Sequence, residues 1–264
     1  IPEGQEPYNN IPTGIPMATN ENFQYDFYTD TGYFGHVPST SLIGGNALAT
    51  TVGLTTGTAQ NDTTGYFKFY WHGQILYVCK QTIRHTISWD HINNANCMFG
   101  IRLGEKDRKT ITVGSNTYAV QLLLGSSSSP TNDTTHYVSD TEANFNIKVA
   151  KEIARGSQWN DLIYRVHVTV PSNKYSGQDN SGNGALSYTG GVQIGKNWAT
   201  YTDADMSTSY SKGGNGTYNW CQEVSTSSTG TRTSRGHFRL AVLGRVTSSN
   251  AYSTDGSRLS LRLL

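Results

Sequence analysis

The alternation of apolar and polar residues is clearest between residues 66 and 124, where it predicts two β-hairpins. Tyr66–Trp71 and Gln74–Lys80 are β-prone, largely aromatic and aliphatic runs. Between them lies His72-Gly73, a turn signal, so residues 66–80 are predicted to form a hairpin. Residues 109–124 repeat the strand–turn–strand pattern, with apolar residues at every second position from Tyr118 to Leu124.

Helical signals are short and few. Ser88 precedes Trp89–Asn93 and supplies the side-chain oxygen of an N-cap. A second capped helix is predicted over residues 156–163, with Trp159, Leu162 and Ile163 at helical spacing toward the core. A short capped turn is predicted over residues 202–206, and further strands over residues 166–170, 217–224, 237–246 and 258–264.

Proline and polar residues divide the chain into three parts. Residues 1–22 hold four of the seven prolines and are predicted to form an extended arm or linker. Residues 23–62 are a β or loop segment of uncertain assignment, with short strands or irregular loops predicted over residues 42–60. The main domain is predicted over residues 63–264. It contains two long polar segments, 125–146 and 172–191, of a length that is uncommon in loops without a function.

The composition favours a folded β-rich protein over a nucleic-acid-binding or disordered one. Only 15% of the 264 residues are charged, the net charge is +1, and there are 16 tyrosines. No basic field favours nucleic acid, and no apolar run is long enough for a membrane-spanning helix. Three cysteines without paired spacing predict buried free thiols, and the expected fold class is α+β with long irregular loops.

Catalytic and metal-binding motifs are missing from the sequence. The seven histidines have no metal-ligand spacing, and we predict neither a cofactor nor a metal. Asp203 and Asp205 suit a hard cation such as Ca²⁺ by their spacing, but acids at a helix N-terminus are the favoured interpretation. Glu223 lies in an apolar strand and is predicted to pair with an arginine. The candidate partners are Arg84, Arg165, Arg239 and Arg262.

Tyrosines in polar segments are the candidate contact residues. Tyr beside Ser, Gly and Asn is a composition typical of binding surfaces, because tyrosine offers a large contact area at a low entropy cost. The alternative is that these tyrosines only anchor their loops. The residues predicted to contact a receptor are Tyr175, Asn180, Asn183, Tyr188, Tyr201 and Tyr210.

An ordered set of segments resembles a recurring module of tailed-bacteriophage virion proteins over roughly residues 63–264. That module resembles the C-type-lectin-like fold of formylglycine-generating enzymes, in which Asn219–Glu223 matches a tryptophan-rich central strand and Arg258–Leu263 the last strand. The segments are residues 66–78, 80–90, 118–125, 156–165, 198–206 and 218–223.

The resemblance implies a mixed sheet with two short helices and a role in display or attachment on a virion. Two departures bear on chemistry. The closely spaced late cysteine pair of the oxidase family is absent, because only Cys221 lies in the last hundred residues. The Glu-Pro-Asn calcium motif of the lectins is absent too, so calcium-dependent sugar binding is not carried over.

The sequence therefore predicts a non-enzymatic virion protein, a tail or tail-fibre component that binds a host-surface receptor. Expected partners are other virion proteins and a host glycan or protein, with oligomerisation in the virion and without nucleic acid or membrane insertion. One alternative is a purely structural capsid-decoration or tail subunit. A glycan hydrolase is a third hypothesis.

Overall fold

Strands dominate the part of the chain that the computed structural model describes, which is residues 23–26, 29–100, 109–126, 157–167, 198–208, 214–224, 229–236 and 243–264. They form two sheets with a few short helices, so the predicted β-rich α+β class is confirmed. The arm over residues 1–22 and almost all of the two long polar segments lie outside the described residues. The strands are β1 Gln24–Asp26, β2 Thr31–Val37, β3 Thr58–Ala59, β4 Tyr66–Trp71, β5 Gln74–Cys79, β6 Arg84–His85, β7 Thr110–Val113, β8 Asn116–Gln121, β9 Tyr218–Val224, β10 Thr231–Arg235, β11 Leu243–Thr247, β12 Asp255–Ser257 and β13 Ser260–Leu263.

The first sheet has seven strands in the order β1-β2-β4-β5-β13-β8-β7, and every neighbouring pair is antiparallel. Both predicted hairpins are confirmed as β4–β5 and β7–β8. At the turn between β4 and β5, His72 has φ 46° and Gly73 φ 79°. Positive φ at both central positions is what a tight hairpin turn requires. Because β2 pairs with β4, residues 31–37 share this sheet with the main domain.

The second sheet has six strands in the order β11-β10-β9-β12-β6-β3. It is a mixed sheet, because β12 runs parallel to β9 while all other neighbouring strands of this sheet are antiparallel. Strand β10 was not predicted, because its sequence is polar. The strand predicted over residues 237–246 is described from residue 243 onward, where it forms β11. The strand predicted over residues 166–170 is wrong at Val166, which lies in a 3-10 turn.

The short helices outnumber the two that were predicted. They are α1 Gly45–Thr51, α2 Trp89–Asn94 and α3 Asp203–Met206, with a π-helical turn at Trp159–Ile163 and 3-10 turns at Ser39–Ser41 and Tyr164–Val166. Strands or irregular loops were predicted over residues 42–60, and this prediction is wrong at Gly45–Thr51, which form α1. The predicted N-cap of α2 is confirmed, since the backbone N–H of His91 donates to Ser88 Oγ at 3.1 Å.

Apolar residues cover both faces of the first sheet. One cluster, which includes Tyr66 and Tyr77, also contains Trp220 of β9 and therefore lies between the two sheets. The other, which includes Phe67 and Leu76, packs against the π-helical turn. The predicted core positions Trp159, Leu162 and Ile163 belong to this second cluster. All three cysteines are free and buried, as predicted.

Trp220 tests the packing between the sheets, because it is 1% exposed and its Nε1 donates to the Ile87 carbonyl at 2.8 Å. We expect Trp220→Ala to lower the free energy of unfolding by about 3–5 kcal/mol, measured by urea denaturation. Trp220→Phe keeps most of the ring volume and loses the hydrogen bond, so its cost is about 1–3 kcal/mol. A loss below about 0.5 kcal/mol for the alanine variant would show that this ring is not part of the core.

Candidate functional site

Tyr201 is the predicted contact residue that lies among the described residues. Tyr175, Asn180, Asn183 and Tyr188 fall in residues 168–197, and Tyr210 falls in residues 209–213, both outside the described parts of the chain. Their contact role stays a prediction. What the structure does place are the residues at which the chain enters and leaves those two segments.

The two ends of segment 168–197 are joined to each other by main-chain hydrogen bonds. Trp198 N donates to Arg165 O at 2.7 Å, and Tyr201 N donates to Val166 O at 3.0 Å. His167 and Tyr201 form an isolated parallel bridge. His167 and Trp198 are both buried. The two residues that flank this segment, His167 and Trp198, are therefore held close to each other.

Asp203, the first residue of α3, links these ends to segment 209–213. Its Oδ1 accepts a hydrogen bond from His167 Nε2 at 3.1 Å and one from Thr208 Oγ1 at 2.6 Å. Burial raises the pKa of Asp203, but the bonds from His167 and Thr208 outweigh it and leave that pKa below its usual value. We call His167, Asp203 and Thr208 the root clasp. It bonds His167 and Thr208, the residues that precede the two segments, to one carboxylate.

The α3 turn is fixed by its own cap. Thr202 Oγ1 accepts from Asp205 N at 3.3 Å, and Asp205 Oδ2 accepts from Thr202 N at 2.9 Å. The hydrogen bonds from Thr202 lower the pKa of Asp205. The two aspartates are thus acids at a helix N-terminus, as favoured from the sequence. Among the residues described, no group of three or more His, Cys, Asp or Glu side chains is placed to hold a metal ion.

Tyr201 is half-buried and packed by its neighbours. Its ring lies 4.8 Å from the Phe67 ring, and Lys80 Nζ lies 4.8 Å from the Tyr201 ring centroid. Burial and, after it, a hydrogen bond with Tyr201 raise the pKa of Tyr33. These contacts fit the anchoring role that the sequence left open for this tyrosine, and its receptor contact stays a prediction.

Arg258 attaches the α3 turn to both sheets. Its guanidinium is fully buried and donates to the carbonyls of Cys79, Lys80 and Met206 and, at 2.9 Å, to Asn219 Oδ1. Burial lowers the pKa of Arg258 to about 10, so the side chain stays charged at neutral pH. Because Met206 ends α3, this cation fixes the turn that carries Asp203.

A second buried group of polar side chains surrounds Glu223. The carboxylate accepts from the backbone N–H groups of Gly125 and Ser126, each at 3.1 Å. Arg235 is the nearby cation that acts on it, and it donates to Gly125 O and to Asn160 Oδ1. Burial raises the pKa of Glu223 to about 7 in spite of these partners. The side chains of Glu223 and Arg235 have no exposed surface, and their bonds hold the main chain at Gly125.

Three of the four predicted arginine partners of Glu223 bind other groups, among them Arg262, whose Nη1 donates to Gln74 Oε1 at 3.4 Å. Arg165 Nη2 lies 2.9 Å from Asp26 Oδ2, and its guanidinium lies 3.7 Å from the Trp198 ring centroid. Arg84 donates to the carbonyls of Thr55, Thr56 and Gly57. Arg239 lies outside the described residues. Arg235 and Arg258 were not predicted as partners: Arg235 lies in the polar run of β10, and Arg258 is the first residue of the predicted last strand.

Comparison with known proteins found no relative: no protein-family model, curated protein or solved structure matches the chain. No helix within the described ranges has the length and apolar character to cross a bilayer.

The root clasp predicts an energetic coupling between His167 and Asp203. In a double-mutant cycle with His167→Ala and Asp203→Ala, we expect a coupling of about 1–2 kcal/mol in the free energy of unfolding, because the hydrogen bond between the two side chains is lost in each single variant. Asp90→Ala with His167→Ala is the matched control and should be additive. Additivity of the first pair would contradict the clasp.

Glu223 predicts a pH dependence of stability. Its pKa is about 7 in the folded protein against an ordinary value of 4.5, so the folded state holds a proton between these values that the unfolded state has released. The free energy of unfolding should therefore fall as the pH rises from about 4.5 to about 7, seen as a falling urea midpoint. Glu223→Gln should remove this part of the slope. If the free energy of unfolding has the same pH dependence in wild type and in Glu223→Gln, this prediction is refuted. Asp255 and His85 also have shifted pKa values, but they contribute equally to both proteins and cancel in the comparison.

Proposed function

We propose that the chain is a virion protein of a tailed bacteriophage, a tail or tail-fibre component that binds a receptor on the host surface. The proposal rests on the ordered resemblance over roughly residues 63–264 and on one structural observation. That observation is the root clasp, in which Asp203 bonds His167 and Thr208, the residues that precede segments 168–197 and 209–213, at one place on a two-sheet frame.

The clasp supports a binding role for a physical reason. Association loses affinity when the binding groups must be ordered, and fixing the residues that flank a binding segment reduces that cost. The two segments contain the tyrosines and asparagines that suit a contact surface. Arg258 adds to this support, because it ties α3 to both sheets.

We further propose that the chain acts by binding and not by catalysis. The buried ionisable groups Glu223, Arg235 and Arg258 are bonded to main-chain amides, carbonyls and amide side chains of the frame. These three residues are at most 1% exposed, and their hydrogen bonds join the sheets to each other and to the turns. In the virion, the expected partners are other virion proteins and a host glycan or protein.

Competition for adsorption tests this proposal. Purified protein should bind cells of the host of the encoding phage and reduce phage adsorption in a concentration-dependent way. The double variant Tyr175→Ala and Tyr188→Ala should weaken competition by at least tenfold at unchanged stability, whereas Tyr137→Ala, a tyrosine of the other long polar segment, should not. Protein that neither binds host cells nor competes would overturn receptor binding.

Location on the particle separates this function from its alternatives. Antibody labelling imaged by electron microscopy should place the protein at the distal tail. Copies dispersed over the capsid would instead support a purely structural decoration protein. New reducing ends after incubation with host polysaccharide would support a glycan hydrolase and end the non-catalytic proposal.

A further inference from the structure

Strand β7 borders the first sheet with a regular, uncharged edge. Thr110–Val113 contains neither a charged residue nor a proline, and its pairing with β8 shows no register shift. Edge strands are commonly protected from pairing with another chain by charges, prolines, bulges or very short length. Among the other edges of the described sheets, β1 ends at Asp26, β3 has two residues and β11 carries Arg245. The β7 edge has none of these charges and is longer than β1 and β3.

The hydrogen bonds of the β7–β8 hairpin show which main-chain groups face outward. Val120 N donates to Lys109 O at 2.9 Å. Along an antiparallel ladder, pairs of opposite residues that exchange such bonds alternate with pairs that do not. Every second residue counted from Lys109 therefore bonds to β8. The N–H and C=O groups of Thr110 and Thr112, which lie between these positions, point away from β8 to the outer side of the sheet.

The residue opposite Thr112 agrees with this assignment. Leu264 N donates to Thr117 O at 3.0 Å, so the carbonyl of Thr117 is directed away from β7. The side chains of Thr110 and Thr112 are both exposed. Main-chain donors and acceptors at two exposed threonines thus form an edge that is open to a further strand.

This edge is complementary to a second copy of itself. A twofold axis at Ile111 would place Thr110 of one copy opposite Thr112 of the other, so that their outward N–H and C=O groups bond in pairs. Lys109 would lie opposite Val113, and no like charges would meet. Ile111 belongs to the apolar cluster between the sheets and Val113 packs against that cluster, so the pairing would also cover the half-buried Val113.

We propose that β7 is a self-association edge, at which two copies of the chain pair antiparallel about a twofold axis and join their first sheets into one. Threonines opposite each other on neighbouring strands interact favourably, and the Thr112 and Thr117 hydroxyls already lie 3.3 Å apart across β7 and β8. The match of the strand to itself, in charge and in register, selects a second copy as the partner. This pairing concerns assembly and does not depend on receptor binding.

Charge substitutions test the register by sedimentation velocity over a range of protein concentrations. Wild type should form a dimer as the concentration rises. Thr110→Lys combined with Thr112→Lys places like charges opposite each other and should raise the dissociation constant by about tenfold or more, and so should Thr110→Glu combined with Thr112→Glu. An equimolar mixture of these two double variants should recover the dimer. Thr110→Lys combined with Thr112→Glu places opposite charges together and should keep it.

The control for added charge is Thr50→Lys combined with Thr51→Lys, at exposed threonines of α1, which should leave association unchanged. Thermal unfolding at a concentration where wild type is monomeric should be alike for all variants, because the main-chain bonds to β8 remain. A wild type that stays monomeric at every concentration overturns the proposal and leaves the edge to a strand of another protein. A dimer that Thr110→Lys combined with Thr112→Lys does not weaken also overturns it, as does a mixture that fails to recover the dimer.

Discussion

The desolvation of the Arg258 guanidinium constrains much of this fold. Transferring a cation from water into the interior costs several kcal/mol unless its donors are satisfied. Here the acceptors come from β5, α3 and β9, so the cation is stable only when these three elements are in place together. Arg165 and Arg235 obey the same rule, the first with Asp26 and the second with Asn160 and Gly125. The buried charges thus determine the relative positions of the two sheets and the α3 turn, and this effect is larger than their net contribution to the free energy of folding.

Elements whose signals are local were predicted well from the sequence. The β4–β5 hairpin is encoded by a turn dipeptide between two apolar runs, and α2 by an N-cap side chain three residues from its partner. Helix α1 was missed because its N-terminal support comes from far along the chain. Asp62 accepts from Gly45 N through its carbonyl and from Asn46 N through its carboxylate. A sequence window around residues 45–51 holds no such cap.

The candidate site shows the same division between local and distant information. The capped turn at residues 202–206 and the burial of Glu223 follow from neighbouring residues and were anticipated. The partners of Glu223 were not, because Gly125, Ser126 and Arg235 are brought to it by the pairing of strands and by packing. The link between His167 and Asp203 spans 36 positions. No spacing rule for residues within one element reveals such a pair.

The place of β13 in the first sheet affects how the chain is made. This strand, Ser260–Leu263, lies between β5 and β8 and forms hydrogen bonds with both. While a ribosome is still translating the preceding residues, β5 and β8 each keep an open backbone edge that has no strand to pair with. Open edges of this kind invite pairing between nascent chains. The sheet is therefore complete only after residues 260–263 have been translated, and until then rapid translation or a chaperone protects the open edges of β5 and β8 from such pairing.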